Sequence, residues 1–336
     1  MSTLGAAVIG ARMGSGHVLG YVNNPHTELR AVCDTDLESA RRVAEKHSVP
    51  LVTDNWEELL ERDDIQIISV ATPDPLHEPM TVRSLEAGKH VLCEKPMALT
   101  VPECERMIAA ADRTGKLLMV GQVCRFAPGF ALAKRLVDRG EIGDLFFVES
   151  EYAHDYTHVG GVGGWRKDPK VKREPFVGGG CHAVDLLRWV AGNMVECSAY
   201  SNHKVLTDWP VDDCTIAIYK FESGVIGKVM CSIGCKRPYT MRSVFYGTRG
   251  TIICDNTSPA IQLYTKDLPE SNGWISLPVN LASHNVTAEV NELVECILEG
   301  KPLLTDGREG ARTVAACRAA VESAATGKPV AVRTQF

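Results

Sequence analysis

Ala87-Gly88-Lys89-His90-Val91-Leu92-Cys93-Glu94-Lys95-Pro96 reads as a glycine turn, a short buried strand over 91–93, and a Glu-Lys-Pro delivered at that strand's carboxyl end. In an open parallel sheet, ligands bind outside the carboxyl ends of the strands. Lys95 is therefore expected to face a cleft. Proline restricts its own φ and donates no backbone hydrogen bond, so Pro96 holds the chain after Lys95 in one shape. A lone lysine in a loop is ordinarily a surface residue. The residues around this one change that reading.

Upstream, residues 4–10 form a continuous apolar run ending in Gly10, followed by Ala11-Arg12-Met13-Gly14-Ser15-Gly16-His17 and helix-compatible residues to about 23. Strand, glycine turn and helix form the context of a dinucleotide-binding turn. Glycines let a pyrophosphate approach the backbone, and the helix N-terminus offers N–H groups and a partial positive charge. The glycine spacing is irregular, with Ala11 where a second glycine would stand. Gly10, Arg12, Met13 and Gly14 are thus cofactor candidates by context more than by motif.

The next strand, 29–33, ends in Asp34, twenty residues after Gly14. An acid there meets the ribose hydroxyls and repels a 2′-phosphate, which favours NAD over NADP. Asp36 is available to cap the following helix instead. Residues 65–70 form a buried strand leading to Ala71-Thr72-Pro73-Asp74-Pro75-Leu76-His77. That loop lies at the same sheet edge, with Thr72, Pro73 and His77 toward the nicotinamide side. Helices over 37–47 and about 101–114 and a strand over 117–121 complete the repeat, which closes at Gln122. The alternation predicts a doubly wound parallel sheet, an NAD(P)-binding Rossmann domain over residues 1–122. Glu94, Lys95 and Gln122 join the cofactor set.

The pattern then changes. Arg125-Phe126-Ala127-Pro128 opens a connecting helix to about 138, and strands dominate from 145: 145–153, 195–203, 213–221, 225–235, 240–247 and 250–254. Residues 123–336 read as an α+β domain with a large, open-faced, mostly antiparallel sheet. One helix, roughly 182–191, interrupts it, and two more close the chain at about 286–299 and 307–325. Residues 154–180 are glycine-rich and long for a plain connector, which suggests a functional loop.

With 336 residues, 45% hydrophobic and 23% charged, the composition is that of a globular protein of two domains. A net charge of −6 without a basic run argues against a nucleic-acid partner. No apolar run reaches bilayer length, and the N-terminus has no basic region or long apolar core, so a cytoplasmic, membrane-free protein is expected. Twelve scattered cysteines include no CxxC pair, and Cys231 and Cys235 are four apart in a strand-like run. Reduced, buried thiols and no metal site are the expectation.

The helix after the glycine-rich loop opens Gly178-Gly179-Gly180-Cys181-His182-Ala183-Val184-Asp185-Leu186-Leu187-Arg188. His182, Asp185 and Arg188 share one face. A histidine at a helix start, behind glycines that admit a ligand, suits acid/base work. Asp185 either orients His182 or pairs with Arg188. Trp165 and Arg166 suit a sugar, with an aromatic face for C–H groups and a forked donor for hydroxyls.

In order along the chain, Met13-Gly14-x-x-His17, Ala71-Thr72-Pro73 with His77, Gly88-Lys89-His90-Val91 through Glu94-Lys95-Pro96, Gly163-Gly164-Trp165-Arg166, the Gly178–Asp185 helix start, and Glu322-Ser323-Ala324 with Gly327-Lys328-Pro329-Val330 are similar to the Gfo/Idh/MocA family, the glucose–fructose oxidoreductase and inositol dehydrogenase group. The resemblance implies hydride exchange between NAD(P) and a sugar or polyol carbon. It places the catalytic lysine at Lys95 and the catalytic histidine at His182, and implies a homodimer or homotetramer formed through the C-terminal sheet. The chain departs from the family where an aspartate often precedes that histidine by four residues: here stands Gly178. His154, Asp155, Tyr156 and His158 are candidates to take its place.

Alcohol oxidation asks for a carbon held against the nicotinamide and a base near neutral pKa. His182 fits, and a lysine depressed by burial fits too. The substrate-side candidates are Arg125, His154, Tyr156, Trp165, Arg166 and Asp185. The favoured reading is an NAD-dependent dehydrogenase acting on a ring secondary hydroxyl, C3 of a glucose-like sugar or glycoside. The alternatives are a redox-cycling glycoside-processing enzyme that retains its NAD, and a non-catalytic NAD-binding regulator.

Overall fold

The computed structural model describes residues 3–267, 273–281 and 284–336. It divides into two compact units: residues 1–122 with 286–311 and 336, and residues 123–285 with 312–335. The first unit thus takes in a later segment, 286–311, that a simple division at Gln122 leaves out.

In the first unit, β1 (Leu4–Ile9) leads to α1 (Ser15–Asn23), β2 (Thr27–Cys33), α2 (Leu37–His47), β3 (Leu51–Thr53), β4 (Ile67–Val70), α3 (His77–Glu86), β5 (His90–Cys93), α4 (Val101–Thr114) and β6 (Leu118–Val120). The strands form one parallel sheet in the order β3-β2-β1-β4-β5-β6. Strands covered on both faces need apolar residues at every position. Ala6, Ala7 and Val8 of β1 and Ile67, Ile68 and Val70 of β4 are accordingly all buried. Local signals end the helices. Thr100 and Glu103 form a reciprocal capping box on α4, and Gly115 stops it in the left-handed region. The order of connection reverses between β1 and β4, which puts the ligand crevice at their carboxyl ends.

In the second unit, α5 (Pro128–Asp138) precedes β7 (Leu145–Ala153), α6 (Pro175–Gly178), α7 (Cys181–Ala191), β8 (Met194–Asn202), β9 (Cys214–Phe221), β10 (Ile226–Ser232), β11 (Thr240–Gly247), β12 (Gly250–Asp255), β13 (Ala260–Thr265) and β14 (Ile275–Pro278). Then follow α8 (Val286–Glu299) of the first unit's later segment, α9 (Gly307–Thr326) and β15 (Val330–Ala331). The sheet runs β14-β13-β12-β11-β7-β10-β9-β8-β15, antiparallel except for the central β7–β10 pair. Along β9 the burial alternates: Ala217, Tyr219 and Phe221 turn inward, while Ile216 and Ile218 face outward. On the inner face Tyr219 donates to the Ala316 carbonyl at 3.0 Å. The outer pair β13–β14 had no counterpart in the sequence reading, although β13 alternates with Ile261, Leu263 and Thr265 buried.

No helix of the described residues is long and apolar enough to cross a membrane. No disulfide joins any of the twelve cysteines, most of which are buried.

Candidate active site

The first unit assembles a cofactor crevice at the ends of β1, β2, β4 and β5. Gly10 adopts φ +100°, and a Cβ there would lie 2.3 Å from the Ala71 carbonyl oxygen, so only glycine fits. Gly14 packs as tightly, against the Gly10 carbonyl and Val8. Ala11 is buried, and its N–H donates to Asp34 Oδ2 at 2.8 Å, while Asp34 Oδ1 accepts from Asp36 N at 2.9 Å. Asp34 therefore ties the glycine turn to the end of β2. Asp36 is the helix cap, accepting from Ser39 N, and Arg12 pairs with it at 2.7 Å. The Arg12 bond and the Ser39 contacts hold the Asp36 carboxyl well below its ordinary range. Met13 is exposed beside this turn.

His77 takes a different place from the cofactor contact expected of it. It is buried, with Nδ1 2.8 Å from the Pro96 carbonyl and Nε2 2.9 Å from the Thr72 carbonyl. Both nitrogens are spent on holding the Thr72-Pro73 loop to the Glu-Lys-Pro turn. Burial works against charge on this ring, but Cys93, Asp74 and the Pro96 carbonyl outweigh it and raise the pKa to about 10.

Behind Lys95 runs a buried polar chain. Glu94 Oε2 accepts from Lys95 N at 3.1 Å, and Glu94 Oε1 lies 3.1 Å from His17 Nε2. His17 Nδ1 lies 3.1 Å from Ser69 Oγ, which is 2.9 Å from the Tyr21 hydroxyl. One assignment satisfies every partner: Tyr21 donates to Ser69, Ser69 to His17 Nδ1, and His17 Nε2–H to Glu94. Burial pushes the Glu94 carboxyl up, but the hydrogen bond from His17, the Lys95 charge and the Lys95 N–H prevail and hold it at about 2. The Lys95–Pro96 peptide is cis. Among the described residues the Lys95 ammonium has no hydrogen-bond partner. Glu289 of α8 is fully buried nearby, with neither carboxyl oxygen hydrogen-bonded among the described residues. Burial, then the Glu94 charge, push it well above its ordinary range.

NAD fits this crevice on its own terms. Thr72 Oγ1 and Gln122 Oε1 are buried polar atoms with no partner among the described residues. Such groups are rare unless something else meets them.

The second unit builds a cup of rings around His182. Its imidazole is buried, stacked on Tyr152 at 6.3 Å between centroids, and its Nδ1 lies 3.3 Å from Cys124 Sγ. Tyr152 OH meets Tyr156 OH at 2.7 Å and His154 Nδ1 at 3.4 Å. Tyr239 closes one side, with its ring 5.5 Å from Tyr152 and 5.0 Å from His154. Burial, then the nearby Arg166, lower the His154 pKa. Trp165 and Arg166 sit in the 3-10 turn Val162–Lys167, where Gly161 (φ +79°) admits the Trp165 indole; a Cβ there would be 2.5 Å from Nε1.

Arg125 and Asp185, expected to touch substrate, are instead joined to each other. Arg125 Nε and NH2 donate to Asp185 Oδ2 and Oδ1 at 2.8 and 2.7 Å, and both side chains are almost wholly buried. Thr313 Oγ1 also donates to Asp185 Oδ1, at 3.0 Å. Asp185 thus anchors α7 and does not orient His182. Asp155 turns outward to Lys236 and Thr157, so it does not stand in for an acid at position 178. Arg173 fills that place: a Cβ on Gly178 would fall 2.0 Å from its Cζ, and Arg173 NH2 donates to the Gly178 carbonyl at 2.8 Å.

Cys124, Tyr152, Arg173, Tyr239 and His284 were not legible as site residues in the sequence. Each comes from a different segment, and only Cys124, beside Arg125, adjoined a candidate. Ligand atoms of Cys124, His182 and His284 lie within 4.8 Å of one another, a donor set of the kind soft divalent cations take.

A six-stranded Rossmann sheet with unmet polar atoms beyond its strand ends is the fold of a dinucleotide-binding domain. Comparison with known proteins agrees: the oxidoreductase family with an NAD-binding Rossmann fold matches residues 4–122, and the GFO/IDH/MocA C-terminal domain matches residues 130–253. The chain belongs to the Gfo/Idh/MocA family and is an NAD-dependent oxidoreductase. It is 27% identical to 1,5-anhydro-D-fructose reductase of Ensifer adhaerens over 94% of this chain and 95% of that one. To levoglucosan dehydrogenase of Pseudarthrobacter phenanthrenivorans it is 25% identical, over 75% and 74%. The crystal structure of GenD2 from gentamicin A biosynthesis, in complex with NAD, superposes with a TM-score of 0.82 at 26% identity, covering 99% of this chain and 97% of that one.

Proposed function

We propose that the chain oxidises a ring secondary hydroxyl of a sugar or polyol, with C3 of a glucose-like ring the preferred position. The observation that carries this is Lys95, whose ammonium has no hydrogen-bond partner among the described residues and whose backbone is tied to the buried Glu94–His17–Ser69–Tyr21 chain. A cation so mounted can donate to a developing alkoxide and stabilise it. NAD, when bound, supplies the hydride acceptor. Thr72 Oγ1, Gln122 and Asp34 are the side chains that would hold it, and Asp34 favours NAD over NADP. The relatives that reduce 1,5-anhydro-D-fructose and oxidise levoglucosan, by their names, support a cyclic sugar as substrate.

His182 is the second proton-handling group. Its imidazole, with Nδ1 3.3 Å from Cys124 Sγ, is the group that would take the hydroxyl proton. Replacing Lys95 by Met should lower kcat/KM by about 1,000-fold or more while leaving NAD binding, read by calorimetry, within a few-fold. Full activity in that variant would remove Lys95 from the chemistry. Absorbance of reduced nicotinamide with no added cofactor separates a dehydrogenase that exchanges NAD from one that retains it.

We further propose self-association through the outward face of the large sheet, where Tyr200, Ile216, Ile218 and Phe146 are exposed. Ile218→Lys should reduce the mass seen by light scattering, and an unchanged mass would refute that face as the contact.

A further inference from the structure

We propose that the second unit's cup binds a carboxylate borne on the substrate ring, with the Arg166 guanidinium as its ligand. The inference rests on the reading of this chain as a sugar dehydrogenase and names the substrate class: a sugar acid in preference to a neutral sugar.

Arg166 is held by ring faces. Its Cζ lies 5.7 Å from the Tyr156 centroid and 5.4 Å from the Trp165 centroid. Its Nε is buried with no hydrogen-bond partner, and among the described residues no carboxylate pairs with it. An arginine Nε buried against aromatic faces and left without a partner among the described residues is unusual, because buried donors are nearly always met. Asp168, two residues on, accepts from the Lys170 N–H at 2.8 Å, and other acids of this unit are in ion pairs. Asp155 is paired with Lys236, Asp208 with Lys167, and Glu174 with Arg318.

Arg173 places a second guanidinium 5.3 Å from the same Trp165 ring. It occupies the space a side chain at 178 would need, one helical turn before His182. Arg173 is spent on the Gly178 carbonyl, and Arg166 is the guanidinium set against the Tyr156 and Trp165 rings. A planar fork between ring faces matches a carboxylate bidentately. A phosphate fits less well, since it offers three oxygens and the glycine turn spends backbone donors internally: Gly164 N bonds Gly161 O, and Arg166 N bonds Gly160 O.

The test compares D-glucuronate, D-glucose and D-glucose 6-phosphate, which share a ring and differ at C6. Binding to the NADH-loaded protein is read by calorimetry, and turnover by nicotinamide absorbance with NAD. Glucuronate is expected to bind about 10- to 100-fold more tightly than glucose. Arg166→Ala should erase most of that ratio, and Arg166→Lys should restore part of it. Glucose or its 6-phosphate binding as well as glucuronate, no binding by any of the three, or an Arg166→Ala loss equal for all ligands would each overturn the proposal. Glucuronate binding without turnover would leave the carboxylate site standing and refute the dehydrogenase reading on this ring.

Discussion

The two units solve the same problem, holding polar groups in a dry interior, in opposite ways. In the first, Glu94, His17, Ser69 and Tyr21 form a single file of hydrogen bonds in which each group has one neighbour on each side. In the second, Asp185 is gripped by Arg125 through two bonds and by Thr313 through a third. The file lies directly behind Lys95 and sets the backbone that carries it. The grip lies beneath α7 and fixes the helix that carries His182. The difference teaches where charge is tolerated: fully compensated as a structural anchor, or at one end of a chain leading to a reactive group.

The largest expected effect strikes the grip. Asp185→Ala leaves Arg125 charged and buried, which should cost about 3–5 kcal/mol of unfolding free energy in urea. A loss under about 1 kcal/mol would show that the pair contributes no more than a surface bridge.

Next comes the file. Glu94→Gln should cost about 1.5–3 kcal/mol near neutral pH, the range for a hydrogen bond to a charged group. The pH dependence has a definite sign. The folded carboxyl sits at about 2, below the ordinary 4.5 of a free glutamate, so its stabilisation is complete above 4.5 and is lost as pH falls toward 2. The wild type should therefore lose stability faster than Glu94→Gln through that window. Parallel curves would mean that the Glu94 carboxyl is not depressed in the folded protein.

Gly161→Ala tests the cup wall. A side chain there meets the Trp165 indole and takes an unfavourable positive φ, at about 1–2 kcal/mol. Displacement of Trp165 should raise KM well beyond what the accompanying drop of a few degrees in melting temperature explains. The reverse pattern would make the turn a fold element and not a binding wall.

The smallest effect has the opposite direction. Glu289 is raised above its ordinary range, so its cost to the fold grows as pH rises from about 4.5. Glu289→Gln should raise the melting temperature by a few degrees at pH 8, on the order of 1 kcal/mol, and by less at pH 4.5. Equal gains at both values would remove titration of Glu289 as the cause.

The first unit was legible because its chemistry sits at strand ends. Gly10 follows β1, Asp34 follows β2, Ala71 follows β4 and Glu94 follows β5, so a run of apolar residues announces each one. His77 shows the limit of that logic. It stands in the right loop, yet its ring turns inward to two carbonyls, and no local pattern reports a side chain's direction. The cup was less legible. His182 and the Trp165–Arg166 turn stood out through their glycines, but Tyr152, Tyr239, Cys124 and Arg173 looked like ordinary strand, turn and loop residues.

From its sequence alone this protein is a Rossmann oxidoreductase with a second, sheet-based domain, and Lys95 and His182 are its reactive candidates. Hydrophobic period, glycine turns and an acid at a strand end are short-range features, and the backbone geometry they impose is the same wherever they occur. Only the tertiary structure decided that Asp185 belongs to Arg125, that Asp34 reaches the glycine turn, and that Arg173 fills the space beside Gly178. Those pairings join residues that the chain brings together only after folding, and each is settled by burial. A charge removed from water must find its partner in whatever segment lies beside it.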